Sequence, residues 1–539
     1  MKSIRQLGAV LGSATILLSA GCQPGLDVTN PNEPDVGRAL ASPADVKNLA
    51  ISSVRSWYIG ATDYEPWLML QVTADASTAN YGNFGMRFNN LEPRIPYANN
   101  SAGGDRGVTE APWNSHYSAL GAANDALRAF AGGLKLQGGQ AETDKYRRLA
   151  QFTQAATLGN LALIFDKAFV VDETLKPGDV PELKPYKDVS AAAVAKWAAL
   201  ATDAAGKADE YDLTELPLAD GPLTSDRLAR IANTMAALTM AYTPRTAAEA
   251  ATVDWAKVAA FAAKGIGTGT AGAPFDVTVI GDYNNWYSGL TELGAGISWT
   301  RVDMRLINRM NPSQPAKFNG TNVTSQGTSP DARYDTDYGY EPELIGDPSR
   351  GVYMQSPFFH NRYYEYSSDG LDEIGPAPYL LAAESDLVRA EALIRSGGDL
   401  VTAANLINNT RVGRGNLPPA TAAEGAPTLL SYIDYERDVE LLNTNGFTLF
   451  QRRHVDGLQA GTIHHLPIPA KELETLGLPI YTFGGPGKEQ FVGTFGVGAL
   501  ASRAFVGQAE MSIDLPTGES QALHFPSNLR RQSGLPRLR

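Results

Sequence analysis

Residues 379–411 read YLLAAESDLVRAEALIRSGGDLVTAANLINNTR. Leu380, Ala383, Leu387, Ala390 and Ile394 recur at three- and four-residue steps, which predicts a helix over 379–395 with one apolar face. Gly397 and Gly398 then break the period, and it resumes from Val401 to Arg411. A break this short turns the second helix back on the first. Alanines at the facing positions let the two approach closely.

The same unit recurs on both sides of this hairpin. Ser42-Pro43-Ala44-Asp45 offers a cap, a proline at the first helical position and an acid in the first turn, followed by Val46, Leu49, Ala50, Val54 and Trp57 at helical spacing. Trp113, Tyr117, Leu120, Asn124 and Leu127 mark another helix, and 144–165 with 189–205 form an alanine-rich pair. A third pair runs over 224–242 and 254–264, and Tyr432, Tyr435, Val439 and Leu442 mark a later helix. Two stretches, about 59–110 and 270–375, lose the period and fill with Gly, Asn, Pro and aromatics, so they are expected as long insertions. The expected fold is all-α, mainly helical, built of TPR-like hairpins without a strict 34-residue repeat.

The amino terminus carries a separate message. Lys2 and Arg5 precede a short apolar run, and Leu18-Ser19-Ala20-Gly21-Cys22 resembles a bacterial lipobox. Cys22 is the single cysteine of 539 residues. It is expected to become the acylated first residue of a mature chain, residues 1–21 being the signal peptide, 22–41 an extended arm with Pro31 and Pro34, and 42–539 the helical body. Gln23, in place of an aspartate, favours the outer membrane. Loss of Lys2 and Arg5 with the signal takes the formal charge from −13 to −15. A surface of that sign repels phosphate backbones, so no nucleic-acid partner is expected.

The order of several motifs resembles the SusD/RagB family of outer-membrane lipoproteins over nearly the whole length. Leu26 to Pro34 is similar to its "LD…NP" arm, and Trp113 to Tyr117 followed by Asn124 to its "W…Y…I…N" helix. Asp254 to Ala259 is similar to "DW..A..YA", and 379–411 to "AEALN…A…IN..R". Glu436 to Leu441 with Arg452-Arg453 is similar to "ER..EL…RR", and Leu466 to Pro469 to "LPIP". Asn445-Gly446-Phe447-Thr448-Leu449-Phe450 departs from the family's "EG.R.FDL". The resemblance implies a single body of four TPR-like pairs, exposed at the cell surface and capping a SusC-type TonB-dependent transporter. Its function would be non-enzymatic: binding oligosaccharides, or in some branches peptides, and passing them to the barrel. A TPR-like envelope assembly protein without a small ligand is the alternative from another class.

A sugar ring offers an apolar face to an aromatic platform, and its hydroxyls need amide, carboxylate or guanidinium partners. Two loop stretches interleave such residues: Tyr81, Phe84 and Arg87 in one, and Tyr283, Asn285, Trp286, Tyr287, Trp299 and Arg301 in the other. Packing of the loops onto the helices is the competing reading of each. Residues 333–341 carry Asp335 and Asp337 in what looks like half a calcium loop, but the twelve-residue spacing is incomplete. An acidic turn is the favoured reading, and no cofactor is expected, although the family resemblance admits calcium. His464 and His465 are adjacent and point opposite ways on an extended segment, which does not make a metal site. Arg437, Arg452 and Arg453 are expected to partner Glu436 and Glu440.

Overall fold

In a computed structural model of the chain, residues 40–176, 179–282, 285–367, 375–490 and 493–494 are described. The expected signal peptide, Cys22 and nearly all of the arm lie outside them. Ser42 accepts the Asp45 amide and opens helix α1, Pro43–Thr62. Asp63 accepts the Tyr64 amide at 2.8 Å and opens α2, Tyr64–Thr73, at once. The helical series continues with α3, Gly107–Ala131, and α4, Gly139–Ile164. The ribbon β1 (Lys167–Phe169) and β2 (Leu183–Pro185) then leads to α5, Tyr186–Ala204, and α6, Ser225–Tyr242. Asp254 caps α7, Trp255–Ala262, through the Lys257 amide.

Strand β3, Val277–Gly281, opens the long excursion, which carries the pair β4 (Tyr338–Tyr340) and β5 (Phe358–His360). Strand β6, Gly375–Leu380, returns antiparallel to β3, with Gly281 opposite Gly375 and Val277 opposite Leu380. The excursion therefore begins and ends on one ribbon. Helices α8 (Ala382–Arg395), α9 (Leu400–Arg411), α10 (Gly425–Glu440) and α11 (Thr448–Arg453) follow.

From α3 to α10 each helix packs on the next, and α1 lies against α3 and α4. The row is unbroken across α7 and α8, although about 120 residues of chain separate them. The fold is thus mainly α-helical, with hairpins stacked side by side and the excursion looped out between two neighbours. Leu387, Ala390 and Ile394 of α8 bury against Ala403, Ile407 and Ile433 in one core cluster, as the hairpin reading requires.

Two expectations shift. The helix expected from Tyr379 begins only at Ala382, because Pro376 and Pro378 hold the preceding backbone extended and strand β6 runs on to Leu380, which pairs with Val277 of β3. The stretch expected to be irregular from 59 holds the end of α1 and all of α2. Trp67, Leu68, Met69 and Leu70 are buried on every side, so α2 has no polar face and leaves no amphipathic period to detect.

Buried arginines bind the row together. Arg453 is fully buried and donates to the carbonyls of Leu163, Tyr242, Pro244 and His464 at 2.5–3.2 Å. Two of these belong to the last turns of α4 and α6, which have no intrahelical donor. Arg245 does the same for Ala162, Phe165 and Thr243, and donates from Nε to His465 Nδ1 at 3.1 Å. His465 is thereby a buried acceptor, and burial holds it well below the usual imidazole range. The expected partnering of Arg437, Arg452 and Arg453 with Glu436 and Glu440 is not what forms. Arg437 pairs with Glu391 at 2.7 Å and Arg452 with Asp438 at 2.8 Å. Glu436 and Glu440 instead meet Arg333, at 2.7 and 3.2 Å.

Candidate functional site

The two loop stretches singled out in the sequence lie side by side. The backbone of 76–81 runs antiparallel to 299–303: Thr78 N–H donates to Arg301 O at 2.7 Å, Asp303 N–H to Ala76 O at 3.0 Å, and Ser77 bridges Val302. The Thr78 hydroxyl accepts the Arg301 amide at 3.0 Å, and Asn80 donates its side-chain amide to Ser298 O. This register fixes Tyr81 beside Trp299, with ring centroids 5.2 Å apart.

A left-handed turn completes the row. Phe84 has φ 55° and Gly85 φ 71°, and the Gly85 amide donates to Asp105 Oδ1 at 3.1 Å. Phe84 is thereby laid on Trp299, stacked with centroids 5.7 Å apart at 25°, and its ring centroid lies 4.2 Å from that of Tyr64. Tyr81, Trp299, Phe84 and Tyr64 are each half-buried, so the row is supported from below and keeps exposed ring surface. Tyr287 is half-buried too, and its backbone carbonyl accepts from the Thr62 hydroxyl next to Tyr64.

Carboxylates flank one end of this row. Burial pushes Asp63 up to about 6. Glu65 lies against Gly107 at the start of α3 and is pushed up to about 7, by burial first and then by the charges of Asp63 and Asp105. Burial likewise raises Asp105. Asp63 and Glu65 thus change between hydrogen-bond acceptor and donor at about 6 to 7, and both roles suit hydroxyl partners. Among the described residues, no group of three or more His, Cys, Asp or Glu side chains is arranged to hold a metal ion.

The other candidates fall elsewhere. Arg87 is half-buried beside the turn, and Asn285 is exposed. Tyr283 lies outside the described residues. Trp286 is buried, 5.6 Å from the ring of Tyr58, and belongs to the interior rather than to a surface platform. Arg301 is buried as well: its guanidinium donates to the carbonyls of Ile297, Glu341, Glu343 and Ser356, tying the excursion together. Asp335 is exposed, while Asp337 pairs with Arg414 at 2.6 Å. Residues 331–337 are organised by buried Arg333, which takes Asp331, Glu436 and Glu440 together. Sequence reasoning missed Tyr64, Asp63, Glu65 and Asp105. For the first three the local signal was the Thr62-Asp63-Tyr64-Glu65-Pro66 break, where a new helix cap stands between two apolar runs.

No protein-family model matches this chain, and no curated protein does. Solved structures do match. A SusD superfamily protein from Bacteroides vulgatus superposes with a TM-score of 0.57 at 14% identity, covering 83% of this chain and 100% of the other. The fold is SusD-like. A SusD superfamily protein from Parabacteroides distasonis gives 0.55 at 14% identity, covering 80% and 97%. A SusD-like carbohydrate binding protein from Bacteroides fragilis gives 0.53 at 17% identity, covering 77% and 86%. The SusD-like fold accounts for the stacked hairpins. At these identities it leaves the aromatic row to be argued from its own geometry.

Proposed function

We propose that the chain is a non-enzymatic SusD-type binding protein that takes an oligosaccharide on the row Tyr81, Trp299, Phe84 and Tyr64. The observation that carries this reading is the joining of two loops more than 200 residues apart into one line of half-buried rings with carboxylates beside it. Flat sugar faces stack on such rings, and Asp63 and Glu65 at the start of α2, with Arg87 beside the turn, are the polar groups beside the row that could meet hydroxyls. The carbohydrate-binding description of the similar protein from Bacteroides fragilis supports the same reading. On this reading Cys22 carries the acyl anchor, the protein sits on the outer membrane at the cell surface, and its partner is a SusC-type TonB-dependent transporter. Among the described residues no helix is long and apolar enough to cross a membrane, which is compatible with an anchor of that kind.

Affinity electrophoresis of the soluble Cys22→Ser protein in polysaccharide gels tests the site. Retardation by at least one polysaccharide, lost in Trp299→Ala and in Phe84→Ala but kept in Trp286→Phe, is expected. A glycan panel that stays blank while peptide pools bind would move the reading to peptides. Radiolabelled palmitate that enters the parent chain but not Cys22→Ser tests the anchor. Copurification with a TonB-dependent barrel tests the partner and separates this reading from an envelope assembly role.

A further inference from the structure

The two ends of the aromatic row differ in charge. Asp63 and Glu65 lie at the Tyr64 end, whereas Arg87 and Arg350 come together at the Tyr81 end. The residue after Tyr81 is Gly82, at φ 77°, and a Cβ placed there would lie 3.0 Å from Arg87 Cβ and 3.7 Å from Arg350 Nη1. The bare glycine therefore leaves a notch walled by both arginines. Arg350 is aimed into it by a bond from Nη1 to the Tyr81 carbonyl. Arg87 is half-buried and has neither a hydrogen bond nor an ion pair among the described residues. The amides of Gly82, Asn83 and Phe84, three in succession, likewise have no acceptor among the described residues. Successive amides in such a turn favour an anion.

Asp347 is the carboxylate beside this notch. Its oxygens accept the Ser349 amide at 2.9 Å and the Ser349 hydroxyl at 2.8 Å, which closes the 348–350 turn, and it stands 4.0 Å from Arg350 Nε. Both partners are exposed, and an exposed pair at that separation contributes little. Two guanidinium groups and three amides thus face one carboxylate that is already occupied. A guanidinium fork matches the oxygens of a carboxylate or a sulfate ester, and such charge-assisted bonds are about twice as strong as those to a hydroxyl. Asp63 and Glu65 would repel the same group, so the row is polar along its length.

We propose, resting on the reading of the row as a sugar platform, that its ligand is an acidic glycan whose oxyanion substituent sits at the Tyr81 end between Arg87 and Arg350. Affinity electrophoresis of the full Cys22→Ser chain compares polygalacturonate with its methyl ester, and dextran sulfate with dextran. Each pair shares a backbone and differs in charge. The chain carries a formal charge of −13, so general attraction to a polyanion does not cause retardation. The acidic member of at least one pair should bind about tenfold tighter than the neutral one, and the pair that responds tells carboxylate from sulfate. Sodium chloride should narrow the ratio, because the notch is open to solvent. Arg87→Gln, which breaks no internal bond, should bring the ratio close to one. Arg87→Lys should retain part of it, and Arg128→Gln in the last turn of α3 should leave it unchanged. Neutral polymers that bind as tightly as acidic ones would overturn the acidic ligand and leave the sugar platform standing. A ratio unchanged in an Arg87→Gln chain that melts like the parent would overturn the notch as its cause. Retardation by neither acidic polymer would overturn the proposal too, and the platform falls with it only if neutral glycans are also without effect.

Discussion

Replacing Arg453 with methionine should cost more than any surface arginine can. The guanidinium leaves four carbonyl oxygens, of Leu163, Tyr242, Pro244 and His464, with no donor at the junction of α4, α6 and the 464–466 segment. A buried acceptor left without its donor costs about 1–3 kcal/mol, so the four lost bonds amount to roughly 4–12 kcal/mol. Against this stands the removal of a buried cation. Burial and neighbouring Arg245 hold Arg453 well below the usual guanidinium range, so its charge is a real expense in the folded state. Recovering several kcal/mol of that desolvation leaves a net loss of about 3–5 kcal/mol. Urea unfolding followed by circular dichroism would measure it. Arg453→Lys, which keeps the charge and loses the fork, should fall between. Arg128→Met is the control, since the bonds of Arg128 to Asp125 and to the carbonyls of Glu173 and Leu175 lie at the surface, where water replaces them; it should change stability by no more than about 0.5 kcal/mol. If Arg453→Met unfolds within about 1 kcal/mol of the parent, the claim that arginine capping locks the helical row together is wrong.

Other consequences can be measured on the same protein. Arg333→Gln takes from Asp331 and Glu436 the buried cation they share, while Glu440 keeps Arg362 and Arg414, and should destabilise by about 3–5 kcal/mol in urea unfolding. Gly446→Ala forces a side chain on a residue at φ 75° with its Cβ 2.7 Å from the Trp67 ring; a loss of at least about 1–3 kcal/mol is expected in thermal melts. Glu65 has a folded-state pKa above its unfolded value, so its favourable contribution is complete below the unfolded pKa of about 4.5 and is lost as pH rises through about 7. Glu65→Gln should therefore gain melting temperature relative to the parent between pH 5 and pH 8, and a gain that is flat or reversed with pH refutes the assigned burial.

Most helices were legible because their causes are local. Ser42, Thr224, Asp254 and Asp399 each accept an amide two or three residues on, and the apolar stripes of α3, α4 and α8 repeat within a few turns. Where the cause is not local, the reading slipped. From Pro66 to Thr73 helix α2 is buried all round, packed on α3, the short helix Met86–Asn89 and α11. Arg437, four residues before Leu441 on a helix rich in acids, passes over those neighbours for Glu391 on α8, and Trp286 turns inward to Tyr58 instead of outward to a ligand.

The sequence by itself determined that helical hairpins would stack, and that aromatic and amide-bearing loops would interrupt them, because i to i+4 periodicity and capping act between residues already held close by the chain. Only the tertiary structure decided that Tyr81 meets Trp299, that Phe84 lies between Trp299 and Tyr64, and that Arg301 faces carbonyls rather than solvent. The contacts of Tyr81 and Phe84 with Trp299 join segments some 220 residues apart, where side-chain chemistry permits many partners and the packing of the whole body selects one.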